Sequence, residues 1–180
     1  MVLPPMPTQS RVLVSLPKGG ASGRSWGEEG MISMNEDVRQ MLNALAEIAG
    51  PLLEEEGYFP PAGAMVLKDG EVRILQLPSA SETDTDEDED SPENQVEQLQ
   101  EAFREAHREA QIRACAFSLD VHVEDPTTGE EHDAILVSAE IEGGEAFEIF
   151  LPYTADEEDE AEEVEILQPF ATQRDPVIFV

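Results

Sequence analysis

Between Ile112 and Val123 the chain alternates with a period of two: Cys115, Phe117, Leu119, Val121 and Val123 are apolar, and Ser118, Asp120 and His122 between them are polar. A helix cannot keep such a pattern on one side, because its side chains return every 3.6 residues or about that, whereas a strand sends successive side chains to opposite faces. Ile135, Val137, Ala139 and Ile141 repeat the alternation. Asp125 to Gly129, with the sequence DPTTG, separates the two runs and holds the residues that turns favour. Gly143 and Gly144 supply a two-residue turn into a third run, Ala146 to Leu151. The pattern predicts a three-stranded antiparallel meander with one face against a core.

The elements before the meander follow from their own periods. Val38, Met41, Leu42, Leu45, Ile48, Ala49, Leu52 and Leu53 recur at steps of three and four, which predicts a helix capped at Asn35 or Ser33 and ending near Gly57. Pro51 is expected to kink or divide it. Ala64 to Leu67 and Glu71 to Leu77 flank Asp69-Gly70, a hairpin signature. Glu93 to Ala110 reads as a second helix, with Val96, Leu99, Phe103, Ala106 and Ala110 facing inward. Pro176 to Val180 is expected to add a short edge strand. The order α-β-β-α-β-β-β-(β) is that of an α+β domain, with two principal helices packed on an antiparallel sheet of five to six strands.

Residues 1–30 differ from the rest. They hold four prolines, a Gly/Ser-rich stretch and three basic against two acidic residues, the composition of a disordered arm, so residues 31–180 are expected to form the single folded domain.

Charge bears on partners and surroundings. The chain has 41 acidic and ten basic residues, a net of -31. Seven carboxylates crowd into Glu82 to Asp90 and eight into Asp156 to Glu165, so residues 79–92 and 154–165 read as disordered acidic linkers. The other 26 acids still outnumber the ten bases, and eight of those ten are Arg. Such a body repels nucleic-acid phosphates and anionic lipid, which argues against direct binding to either. Its self-repulsion is relieved in concentrated salt, where the Debye length falls to roughly 3 Å, and a halophilic source accounts for the balance. No apolar stretch approaches the roughly 20 residues needed to cross a bilayer. With no hydrophobic signal core at the N-terminus, a cytoplasmic location is expected. The one cysteine, Cys115, lies in the strand pattern as a small buried residue, with Arg113 two positions away on the same expected face.

The segments GYFPPAGAMVLKDGEVR, Gly57 to Arg73, and IRACAFSLDVHVEDPTTGEEHDAILVSAEIEGGEAFEIFLPY, Ile112 to Tyr153, resemble a family of small bacterial α+β proteins without an established function. The likeness spans roughly a third of the chain. It rests on turn and core positions, so it implies the architecture and carries over no catalytic or binding residue.

One set of side chains has metal-ligand chemistry. If the first meander hairpin turns around Thr127 and Thr128, His122 and His132 lie opposite each other on the polar face, flanked by Asp120, Glu124 and Glu130. Two imidazoles with carboxylates suit a transition metal; in so acidic a chain a solvated hairpin face is the plainer reading. Asp86, Asp88, Asp90, Asn94 and Glu97 match the ligand steps of a calcium loop, but Ser91 stands where that loop needs glycine, so weak divalent cation association is all that is expected and no cofactor is implied.

Three functions follow. The first is a non-enzymatic binding or regulatory module of a salt-adapted bacterium, docking protein partners through its acidic segments. The second is a DNA mimic whose carboxylate rows occupy a nucleic-acid-binding partner. The third is a metal-assisted hydrolase using His122 and His132.

Overall fold

The computed structural model describes residues 12–13, 24–25, 35–77, 91–125, 128–155 and 164–180. Its elements run β1 (Val12–Leu13), β2 (Arg24–Ser25), α1 (Glu36–Glu56), β3 (Ala62–Leu67), β4 (Val72–Gln76), α2 (Pro92–Arg108), β5 (Ile112–Glu124), β6 (Glu131–Ile141), β7 (Glu145–Ala155), β8 (Val164–Ile166) and β9 (Phe170–Arg174). The fold is α+β.

Local chemistry accounts for the helix ends. Asn35 caps α1 by accepting from the Asp37 N–H at 2.8 Å, and Gly57, at φ 74°, closes it in the left-handed region. The helix continues through Pro51 instead of dividing there. Gly50 removes one obstacle, because the ring of a proline clashes with the Cβ of the residue before it and Gly50 has none. Ser91 caps α2, with Pro92 at its start. That proline, expected to close the first acidic linker, is the first residue of the helix.

The strands form one sheet in the order β2-β9-β7-β6-β5-β3-β4, with β8 paired to β7 and β1 running parallel to the free end of β5. The other pairings are antiparallel. The count exceeds the expected five to six because β8, β9 and two dipeptides of the N-terminal arm join in. The remainder of that arm, and the acidic residues 79–90 and 156–163, lie outside the described residues. At the edges of the second acidic run, Thr154 pairs with Glu165 and Ala155 with Val164.

A one-residue difference in register decides how the layers assemble. In β5 and β6, Ser118 stands opposite Val137 and Phe117 opposite Ser138. The odd positions of the two strands therefore face opposite sides of the sheet, and both sides are buried. On one side Val38, Met41, Leu42, Leu45, Ala49 and Leu53 of α1 rest on Ala62, Ala64, Ala114, Ala116, Ile135, Val137 and Ala139. The alanines let the helix approach closely. On the other side Leu99, Phe103 and Ala106 of α2 cover Met65, Cys115 and Phe117, while Leu119, Val121, Leu136, Phe150 and Phe170 continue this core past the helix. Gly63 makes the approach of α2 fit, since a Cβ there would lie 3.0 Å from both Leu99 Cδ2 and Phe103 Cζ. The one-faced sheet expected from the alternation is thus a sheet between two helices. Ala110, expected to face inward, is exposed and ends α2 at φ 55°.

The last residues do not form the expected edge strand. Phe170–Arg174 pairs with β7 as β9, and the segment after it crosses the α2 side of the sheet with Ile178 and Phe179 buried in the same core.

Candidate functional site

The predicted metal set is not gathered at one place. The β5–β6 ladder pairs His122 with Asp133 and Val123 with His132, so the two histidines point to opposite faces. The loop between them explains the shift. The Asp125 N–H donates to the Glu130 carbonyl at 2.7 Å, the Gly129 N–H to the Asp125 carbonyl at 2.8 Å, and Gly129 adopts φ 74°. A hairpin register moved by one residue exchanges the faces of every side chain beyond it.

Within the set His132 lies beside Glu130, while His122 and Asp120 contact residues outside it. His122 Nδ1 lies 3.0 Å from Asp133 Oδ1 and its Nε2 lies 3.4 Å from Glu131 Oε2. The Asp133 contact first, and the Glu131 contact after it, raise the imidazole pKa above its usual value. His132 Nε2 is 3.7 Å from Glu130 Oε2 on the other face. Asp120 is buried and accepts from the Tyr153 hydroxyl at 3.1 Å. Glu124 stands opposite Glu131 at the hairpin end. Among the described residues no group of three or more His, Cys, Asp and Glu is arranged to hold a metal ion. The calcium-loop residues Asp86, Asp88 and Asp90 lie outside the described residues, and Asn94 and Glu97 belong to α2.

Sequence reasoning missed a buried carboxylate held by four donors. Glu140 of β6 is 1% exposed and stands opposite Cys115, on the α2 side of the sheet. Its Oε1 accepts from Arg174 Nη2 at 2.9 Å and from the Val177 N–H at 2.9 Å. Its Oε2 accepts from the Ile178 N–H at 2.8 Å and the Phe179 N–H at 3.2 Å. A carboxylate tolerates such burial only when donors replace its lost water, and here three consecutive backbone amides and a guanidinium do so. Arg174 is itself positioned by Ser138 Oγ, which accepts from its Nε at 3.1 Å, and by the Asp175 carbonyl, which accepts from its Nη1 at 2.8 Å.

The C-terminal segment is therefore a strap drawn over the sheet. Phe179 packs edge-on against His107 of α2, with ring centroids 4.8 Å apart, and Ile178 helps to line a small cavity with Gln100, Phe103, Cys115, Phe117 and Ser138. Val177 and Val180 point outward and stay exposed. Burial pushes the Cys115 thiol far above its usual pKa, and the Glu140 charge adds to the effect against the opposing pull of Arg174. Arg113 does not share the face of Cys115, because the β3–β5 ladder shifts register beside it. Its guanidinium instead holds Asp37 of α1 through two bonds, Nε to Oδ2 at 2.9 Å and Nη2 to Oδ1 at 2.7 Å.

Two signals for the Glu140 site stood in the sequence. Leu136 is apolar at an even position of β6, which marks the second face as buried, and four successive apolar residues end the chain.

Comparison with family models, curated protein sequences and solved structures gives no match to this chain. Among the described residues no helix is long and apolar enough to cross a membrane.

Proposed function

We propose that this protein is a non-enzymatic binding module of a salt-adapted bacterium, working in the cytoplasm and docking a basic protein partner through its acidic segments. The observation that carries this reading is how the two acidic runs are attached. Asp90 is followed directly by Ser91, the cap of α2, and the second run springs from the paired ends of β7 and β8. Both runs therefore leave ordered elements, and together they concentrate fifteen of the 41 carboxylates in two short stretches. Charge so concentrated steers a basic partner and favours fast, salt-sensitive association.

The test is capture of partners from the native host, at the host's own salt, on the full chain and on a variant whose fifteen run carboxylates are replaced by Asn and Gln. The reading predicts a partner held by the parent and lost by the variant. Equal capture by both rejects the runs as the docking surface. A captured nucleic-acid-binding protein that duplex DNA displaces would move the conclusion to the DNA mimic.

A further inference from the structure

The geometry points to a peptide-binding site formed by Glu140 and the crevice beneath α2, which the chain fills in cis with its own residues 177–180. The exogenous ligand is a partner's extended, uncharged segment of the same chemistry, a proline followed by consecutive apolar residues. This site is distinct from the acidic runs, so either reading can fail without the other.

Three features argue for it. First, Glu140 recognises the strap through main-chain N–H groups at three successive positions, and every peptide carries those groups. Second, the side-chain contribution is confined to two seats. Ile178 is 4% and Phe179 7% exposed, whereas Val177 is 42% and Val180 90% exposed, so any segment with apolar residues at the two inner positions meets the same walls. Third, the occupant is held outside the strand ladder. It follows Asp175-Pro176 and joins no strand, so it can leave without unpairing the sheet. Backbone recognition by fixed polar groups, with pockets for selected side chains, is a recurrent way of binding extended peptides.

A tethered segment competes at an effective concentration on the order of millimolar, so the parent protein should bind a free peptide weakly. Weakening the tethered copy should unmask the site. The probe is a fluorescein-labelled peptide of sequence PVIFV, titrated by anisotropy against the full chain. Phe179→Ala in the protein should raise its affinity for the peptide by about tenfold or more. Adding Glu140→Gln to that variant should abolish the gain while circular dichroism stays that of the parent, whereas neutralising the acidic runs should leave the gain intact. A Phe179→Ala protein with the parent's circular dichroism but no gain would overturn the proposal, as would a gain that survives Glu140→Gln.

Should Phe179→Ala fail to fold, amide hydrogen exchange on the parent protein decides. The proposal requires the Val177, Ile178 and Phe179 amides to exchange by local opening, at denaturant concentrations well below the global transition. Exchange of these amides only with global unfolding would make the strap a fixed part of the core and refute the proposal.

Discussion

His122 and Asp133 face each other across the β5–β6 ladder, with Nδ1 3.0 Å from Oδ1. The contact favours the imidazolium in the folded chain, so the histidine's pKa is higher folded than unfolded. Its stabilising contribution is complete below the unfolded value, near 6.5, and disappears as pH rises through the folded value. Melting temperature should therefore fall from pH 5.5 to pH 8.5 by more in the parent than in Asp133→Asn, measured by circular dichroism in matched salt. Equal slopes would show that the contact does not favour the charged ring.

Glu140 should be among the most sensitive polar positions in the molecule. Glu140→Gln leaves Arg174 without its buried partner and turns an amide toward backbone donors, at a cost of about 3–5 kcal/mol. Glu71→Gln, which breaks the exposed pair with Arg73, should leave the unfolding midpoint close to the parent's. Urea unfolding of the two variants gives the comparison, and similar losses would contradict it.

Two backbone positions should respond in opposite directions. Gly63→Ala places a methyl 3.0 Å from side-chain atoms of Leu99 and Phe103, both almost fully buried, and should destabilise by about 1–3 kcal/mol as α2 shifts. Ala110→Gly relieves a left-handed residue at the end of α2 and should stabilise by roughly 0.5–1 kcal/mol. Denaturation midpoints that move the other way would refute the packing and capping arguments respectively.

A net charge of -31 should make stability depend on salt. Raising KCl from dilute to molar screens repulsion among the surface acids, and the melting temperature should climb across that range. A flat or falling curve would contradict adaptation to salt.

The elements could be read from the sequence because each has its own local grammar. Asn35 and Gly57 mark the ends of α1, Asp69-Gly70 marks the first hairpin, and alternation marks β5 and β6. The pairing between strands was harder to read, since it depends on how a loop closes. With Gly129 left-handed, Asp133 rather than His132 meets His122, and the same step buries Ser138 and Glu140 on a face that the alternation alone assigns to solvent. The Glu140 site was hidden for a related reason. Its donors are main-chain groups of Val177, Ile178 and Phe179, and backbone amides leave no mark in a sequence.

Docking through the acidic runs is tested most directly by titrating one purified partner, taken from the native host, against the full chain and against the variant with all fifteen run carboxylates neutralised. Both titrations are run at the host's salt and at a tenfold dilution of it. The account predicts that neutralisation weakens binding by at least about tenfold and flattens the salt dependence of what remains. Equal affinity of the two proteins at both salts would contradict it.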